Sequence, residues 1–71
     1  MKTKVNSLSE KQRKTWEMIR VELNYEDTDE DFNEFKEEAE SLLADDEEDF
    51  DVTYNSMNGI NASDVIYLIY A

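Results

Sequence analysis

A run of 26 residues in the middle of the chain combines most of its acidity with one clear helical pattern. Residues 26–51 hold 15 of the 19 carboxylates and a single base, Lys36, which leaves a local net charge of −14. The apolar side chains of this run recur at helical spacing, as Phe32, Phe35, Ala39, Leu42 and Leu43. This stripe predicts an amphipathic helix that buries one face and presents carboxylates on the rest of its surface.

The start of this helix is marked by a capping pattern. Thr28 is followed three residues later by Asp31, and Asp29, Glu30 and Asp31 fill the first turn, where the helix dipole favours anions. We therefore expect a helix from Asp29 to about Ala44.

The segments on either side alternate with a period of two, which is typical of strands. In the first, one face holds Ile19, Val21, Leu23 and Tyr25, and Trp16 and Met18 lie on the other. The second predicted strand has Phe50, Val52 and Tyr54 on one face. An apolar run, 65–70, follows an Asn58-Gly59 turn signal and predicts a central strand.

Together these elements predict an α+β fold, a small β-α-β-β domain with one helix on a three-stranded antiparallel sheet in the order 1-3-2. One helix covers only one face of such a sheet. We therefore expect a homodimer through the other face, around Trp16, Met18 and outward residues of the last strand.

Residues 1–14 are basic and poor in apolar side chains, which predicts a mobile arm before a single acidic domain at 15–71. An alternative within the arm is a capping box formed by Ser9 and Gln12, which would begin a helix running into Trp16.

The composition disfavours several functions. The chain has no Cys and no His, so it lacks disulfides, the usual zinc ligands and the usual general base near neutral pH. We expect no enzyme activity and no cofactor. A net charge of −12 argues against direct binding of nucleic acid, and no apolar run is long enough for a membrane span. These features predict a cytoplasmic protein that binds neither nucleic acid nor membranes.

Two runs of alternating carboxylates, at 27–31 and 45–49, raise the alternative of calcium binding. A calcium loop of the EF-hand type needs glycine at its sixth position, whereas these runs have Phe32 or Phe50 there. We therefore expect no specific metal site and only weak binding of divalent cations.

The carboxylates of the central run are instead the predicted binding surface for a basic partner protein. They are Glu26, Asp27, Asp29, Glu30, Asp31, Glu34, Glu37, Glu38, Glu40, Asp45, Asp46, Glu47, Glu48, Asp49 and Asp51. The alternative is a solvated face that only keeps a small protein soluble. The confinement of the charge to one predicted helix and its adjoining loop, almost without bases, favours binding.

A small, Cys-free, His-free acidic chain with the segment EDTDEDFNEFKEEAESLLADDEEDFD resembles the DNA-mimic inhibitors that bacteriophages make against host DNA-binding proteins. In size and acidity it is most similar to the host-takeover inhibitors of the nucleoid protein HU made by lytic Bacillus phages. The resemblance rests on charge density over 26–51 and on no motif. It implies that the acidic surface occupies the DNA-binding surface of HU and blocks its DNA binding. Restriction, CRISPR and transcription proteins are alternative partners.

Overall fold

Helices make up the regular secondary structure of the protein in the computed structural model, which describes residues 5–57 and 59–71. A short 3-10 helix, Val5–Ser7, precedes the α-helices. These are α1 (Glu10–Leu23), α2 (Asp29–Asp45), α3 (Glu47–Asn55) and α4 (Ala62–Ile69). Because no strand occurs within the described ranges, the predicted α+β fold with its three-stranded sheet is wrong.

The first predicted strand is helix α1. The Ser9 hydroxyl accepts a hydrogen bond from the backbone N–H of Gln12 (3.2 Å), and the Gln12 side chain accepts one from the N–H of Ser9 (2.8 Å). This capping box begins a helix that buries Trp16 and Ile19, three residues apart, and leaves Val21 67% exposed. The alternation of apolar and polar residues around Val21 therefore does not mark a strand, and the capping box predicted the correct structure.

The second predicted strand, and the acidic loop before it, form helix α3. Asp46 caps this helix, since its side chain accepts a hydrogen bond from the N–H of Asp49. Phe50 and Tyr54 lie four residues apart on one helical face, with ring centroids 4.8 Å apart, and both are buried. Val52 lies opposite them and is 63% exposed, whereas a strand would have buried all three on one face.

The predicted central strand is helix α4. The Asn61 side chain caps it by accepting a hydrogen bond from the N–H of Asp64 (3.0 Å). Val65, Leu68 and Ile69 are buried at helical spacing. Gly59 has φ +81°, so the predicted turn residue takes the left-handed conformation, but it lies between two helices. Asn58 of the same turn signal lies outside the described residues.

Helix α2 confirms the prediction made from the apolar stripe. Thr28 is its N-cap, and the Thr28 hydroxyl accepts a hydrogen bond from the N–H of Asp31 (3.1 Å). Phe32, Phe35 and Ala39 are buried, and the stripe continues into partly buried leucines at positions 42 and 43. The observed end at position 45 lies within one residue of the expected end.

Trp16 lies at the centre of an aromatic cluster between α1 and α2. Its ring centroid lies 5.0 Å from that of Phe32, 5.6 Å from that of Phe35 and 6.0 Å from that of Tyr25. Trp16 is fully buried. The sheet face on which a homodimer was expected is therefore not formed, and Trp16 belongs to the core of one chain. Self-association stays a prediction.

Part of the predicted N-terminal arm lies on the folded domain. Val5 is buried, and its backbone N–H donates a 2.8 Å hydrogen bond to Oδ1 of Asp29. Residues 10–14 form the first turn of α1. Residues 1–4 lie outside the described residues, and the mobility of the arm stays a prediction.

Val21 provides a direct test of the helical fold. In a helix, the exposed Val21 costs about 0.5 kcal/mol relative to alanine, because a β-branched side chain loses rotamer freedom there. We expect Val21→Ala to raise the free energy of unfolding slightly, as measured by denaturant titration monitored by far-UV circular dichroism. A loss of more than about 1 kcal/mol would indicate instead that Val21 packs in a core.

Candidate acidic interface

The central carboxylates occupy the outside of two consecutive helices. Eight of the 15 lie on α2 and four on α3, while Asp46 joins the two helices and the remaining two, Glu26 and Asp27, precede α2. All are exposed except Asp31 and Asp51, which are partly buried. The structure thus gives all 15 carboxylates at least partial solvent exposure. That they bind a partner protein stays a prediction.

The linear charge density of these helices is close to that of one DNA strand. At a rise of about 1.5 Å per residue, the 17 residues of α2 span about 25 Å and carry eight carboxylates, or roughly one per 3 Å. The four carboxylates of α3 lie in nine residues, again roughly one per 3 Å. A single strand of B-DNA carries about one phosphate per 3.4 Å of axis. Measured along their axes, the two helices therefore carry carboxylates about as densely as one DNA strand carries phosphates.

Five of the 15 carboxylates accept hydrogen bonds from other residues of the chain. Asp27 accepts hydrogen bonds from the Arg13 guanidinium and from Nε1 of Trp16, the latter at 3.1 Å. Asp29 accepts from the N–H of Val5. The remaining three are the Asp31, Glu38 and Asp46 side chains, which accept from the N–H of Glu26, the hydroxyl of Tyr25 and the N–H of Asp49 respectively.

The other ten carboxylates take part in no hydrogen bond or ion pair within residues 5–57 and 59–71. They are Glu26, Glu30, Glu34, Glu37, Glu40, Asp45, Glu47, Glu48, Asp49 and Asp51. We call this set the outer carboxylates. Because the fold does not use them, they are the part of the predicted site that remains available to a partner.

Asp46 places the outer carboxylates of both helices around one bend. Its N–H donates to the carbonyl of Leu42 at the end of α2, and its side chain caps α3. Its own backbone is extended, with φ −154° and ψ 91°, so the helix direction changes there. Carboxylates at 45, 47, 48 and 49 surround this bend. The acidic loop predicted at residues 45–49 is thus the junction of α2 and α3, where Asp46 caps both helices.

Tyr25 links the acidic segment to the core. Burial raises the pKa of its hydroxyl, and the hydrogen bond to Glu38 (2.8 Å) raises the pKa further, because ionised Tyr25 would face a carboxylate. Burial also raises the pKa of Tyr54, with a contribution from the charge of Glu38. Both tyrosines are therefore neutral around pH 7, and Tyr25 donates its hydroxyl hydrogen to Glu38.

The two arginines of α1 and Lys36 make contacts other than with the outer carboxylates. Arg13 pairs with Glu17 (3.2 Å) and with Asp27, and Arg20 pairs with Glu17 (2.6 Å). Nζ of Lys36 lies 5.9 Å from the ring centroid of Phe32 and 3.4 Å from the carbonyl oxygen of the C-terminal residue. In the described part of the chain, none of these cations pairs with an outer carboxylate, so the negative potential of that surface is preserved.

Two further features bear on ligand binding. Among the described residues, no group of three or more acidic side chains is arranged to hold a metal ion, and no helix is long and apolar enough to cross a membrane. A shallow hollow of about 190 Å³ lies on α3, lined by Asp46, Glu48, Asp49 and Val52. A second hollow of about 280 Å³, beside α1, has two lysines in its lining.

Sequence reasoning could not separate structural carboxylates from available ones. The capping positions of Thr28 and Asp46 were readable, since Asp46 stands three residues before Asp49 and opens an acidic first turn. The contacts of Asp27 and Glu38 depend on which helices pack together, so no local signal marks them. Sequence reasoning also missed Val52 as a surface residue, because it assigned the wrong period to α3.

Asp27 gives a testable pH dependence. Burial tends to raise the pKa of its carboxyl, but hydrogen bonds from Arg13 and Trp16 outweigh this and lower the pKa below its usual value. A carboxyl with a lowered folded-state pKa adds stability above its unfolded pKa of about 4, and this stability is lost as pH falls through the folded-state value. We expect Asp27→Asn to be destabilised near pH 7 by roughly 0.5–1 kcal/mol.

The measurement is the difference in unfolding free energy between the wild-type protein and Asp27→Asn from pH 7 to pH 2. This difference should shrink below about pH 4. A difference that is constant across this range would show that the charge of Asp27 does not contribute. Arg13→Gln should give a similar pH profile, since it removes the cationic partner.

Comparisons with protein-family models, curated proteins and solved structures give no match to this chain.

Proposed function

We propose that this protein is a DNA mimic that binds the DNA-binding surface of a basic host protein and blocks its DNA binding. The nucleoid protein HU is the first candidate partner, on the resemblance described above, and the host cytoplasm is the expected location. The outer carboxylates form the contact surface.

The observation that supports the proposal best is the set of ten outer carboxylates, nine exposed and Asp51 partly buried, which have no hydrogen-bond or ion-pair partner among the described residues. A basic partner pairs with such groups without first breaking ion pairs inside the acidic protein. Complementary potentials also raise the association rate and select for basic surfaces.

The helical scaffold adds a second line of support. Phe32, Phe35 and Phe50 anchor α2 and α3 to the core and are essentially fully buried, so the carboxylates above them are carried on ordered backbone. A partner that binds a preorganised surface loses less conformational entropy than one that binds a flexible acidic tail. Solubility alone requires neither this order nor this density.

Other basic partners, such as restriction, CRISPR or transcription proteins, remain alternatives of the same chemical kind. No observation favours one of them over HU. Self-association remains part of the prediction, and sedimentation at high micromolar concentration tests it.

The proposal is tested by capturing partners from host lysate on the immobilised protein at about 0.05 and 0.5 M salt, with and without excess duplex DNA. We expect a basic DNA-binding protein that is retained at low salt and released by either high salt or DNA. Purified HU should behave in the same way. Retention of proteins that DNA does not release would contradict mimicry.

A further inference from the structure

The exposed apolar side chains of the protein are concentrated on α1 and α4. Among the described residues six large apolar side chains are exposed, and five of them belong to α1 or to the C-terminal half of α4 and its cap. These five are Met18, Val21, Leu23, Tyr67 and Tyr70, and the sixth is Val52 on α3. Single exposed apolar residues are ordinary, but a group of them on two neighbouring helices indicates a contact surface.

Helices α1 and α4 lie side by side and run in opposite directions. Near the start of α1, Nζ of Lys11 lies 5.5 Å from the ring centroid of Tyr67, in the last turn of α4. Further along α1, Met18 lies against Gly59, which precedes α4. Exposed residues three apart share one side of each helix. We call the surface that they form together the α1/α4 face, and its apolar side chains are Met18, Val21, Tyr67 and Tyr70.

The charges of the chain are divided unequally between the two pairs of helices. Helices α1 and α4 together carry four bases and four acids, so their net charge is zero. Helices α2 and α3 carry twelve acids and one base, which gives a net charge of −11. The exposed apolar side chains therefore coincide with the neutral part of a strongly acidic surface.

The α1/α4 face also carries charges of both signs. Lys11, Lys14 and Asp64 contribute to the lining of a hollow of about 280 Å³ between the two helices. Neither lysine forms an ion pair within residues 5–57 and 59–71. In a two-fold contact each residue meets a different residue of the other copy. A second copy of this face can therefore supply a carboxylate to the lysines while the apolar side chains of the two copies pack together.

We propose that the α1/α4 face binds the same face of a second copy of this chain and forms a two-fold symmetric dimer. Such a contact places a surface against its own copy, so like charges oppose it least where the net charge is near zero. A basic protein is attracted to α2 and α3 instead, and an acidic protein is repelled by the net charge of −12. This inference rests on the self-association included in the proposed function, because it names the surface involved.

The dimer leaves the acidic surface of each copy free. The outer carboxylates lie on α2 and α3 and in the segment before α2, outside the α1/α4 face. Each dimer therefore presents two acidic surfaces, which bind a target with several basic sites more tightly than one does. The contact is small and thus weak. At the low micromolar concentrations of a denaturant titration the chains separate, so the test with Val21→Ala concerns the single chain.

The matched pair of variants is Val21→Glu and Val52→Glu. The two valines are exposed to a similar extent, 67% and 63%, and each substitution adds one negative charge on a helix, but only Val21 belongs to the α1/α4 face. Both variants should keep the helical circular dichroism spectrum, because glutamate is a better helix former than valine. Sedimentation equilibrium from low to high micromolar concentration then measures the dimer dissociation constant.

We expect the wild type and Val52→Glu to dimerise to a similar extent. Val21→Glu should raise the dissociation constant roughly tenfold or more, because it places two like charges in an apolar contact. A wild-type protein that stays monomeric at high micromolar concentration would overturn the inference, and so would equal dimerisation of the two variants.

The dependence on salt distinguishes this dimer from a head-to-tail contact. Each copy has a net charge of −12, so rising salt screens the repulsion and should strengthen the face-to-face dimer. A contact between the lysines of α1 and the acidic surface of the next copy would instead weaken with salt and build assemblies larger than dimers. Association that weakens with salt or continues beyond dimers would overturn the inference.

These measurements separate the inference from the proposed function. Binding to HU should weaken with salt, whereas dimerisation should strengthen. If the wild type dimerises through the α1/α4 face but does not bind HU, the inference stands and mimicry directed at HU fails. If the wild type displaces DNA from HU but stays monomeric, mimicry stands and the inference is overturned.

Discussion

Trp16→Ala is expected to remove roughly 3–5 kcal/mol of the free energy of unfolding, the range for truncation of a fully buried large aromatic side chain. Trp16 is fully buried and contacts the rings of Tyr25, Phe32 and Phe35. A protein of 71 residues has a total stability of about 4–10 kcal/mol, so the variant should be largely or partly unfolded at room temperature. The truncation also leaves Asp27 without the indole N–H that bonds to it.

Trp16→Phe is the informative companion of this variant. It keeps an aromatic ring in the core and loses the indole N–H, so a smaller loss is expected. Denaturant titrations monitored by far-UV circular dichroism measure both variants. A Trp16→Ala protein with an unchanged midpoint would contradict the position of Trp16 in the core and would return it to the exposed surface that the sequence analysis assigned to it.

Removing the negative charge from the solvent side of α2 should have the largest effect on binding to the partner protein. Glu30, Glu34 and Glu37 are outer carboxylates on the solvent side of α2, spaced four and three residues apart. We expect the triple change to glutamine to weaken binding to a basic partner at least tenfold, because an ion-pair contact is lost at each position. The fold should be unchanged or slightly more stable, since like charges at this spacing cost a few tenths of a kcal/mol per pair. Glu38 is left unchanged because its carboxylate accepts a hydrogen bond from the hydroxyl of Tyr25.

A control with the same net charge separates local from global electrostatics. Glu10→Gln, Glu22→Gln and Asp64→Asn together also remove three negative charges, but from α1 and α4. We expect this control to weaken binding much less than the α2 variant does. Equal losses in the two triple variants would indicate that only the net charge matters.

Adding Glu47→Gln and Glu48→Gln to the α2 variant should complete the loss of competition with DNA.

Local sequence signals predicted α2 well because several agreed. Its N-cap, the acidic first turn and the apolar stripe all indicate a helix over the same residues. In α1 the signals conflicted, because the capping pattern at Ser9 indicated a helix whereas the alternating apolar residues indicated a strand. For α3 only the alternation was used, and the capping role of Asp46 was not recognised. The alternation proved wrong in both helices because Val21 and Val52 are exposed. In α1, the cap was the better guide.

The apolar segment that forms α4 was ambiguous for a different reason. Val65, Leu68 and Ile69 are buried, yet the residues between them are also apolar, so the sequence shows no clear period. Periodicity cannot separate a buried helix from a buried strand in such a run. Only packing against α1 and α3 decides between them.

The location of the acidic surface could be predicted from the sequence, but the role of each carboxylate in it could not. The confinement of charge to residues 26–51 is visible in the sequence, and in the structure the carboxylates of this run are exposed or partly buried. Which carboxylates are free depends on long-range contacts, such as those of Asp27 with Arg13 and of Asp29 with Val5. The exposure of Val52 depends on the orientation of α3. These features arise from tertiary packing.

The most direct test of the account is a competition experiment with fluorescent duplex DNA bound to HU. Fluorescence anisotropy is recorded as the wild-type protein is added at several salt concentrations. The account predicts that DNA is released as the protein binds HU, that the affinity for HU falls as salt rises, and that the α2 triple variant releases much less DNA at equal concentration. A wild-type protein that leaves DNA on HU at low salt, or an α2 variant that competes as well as the wild type, would contradict it.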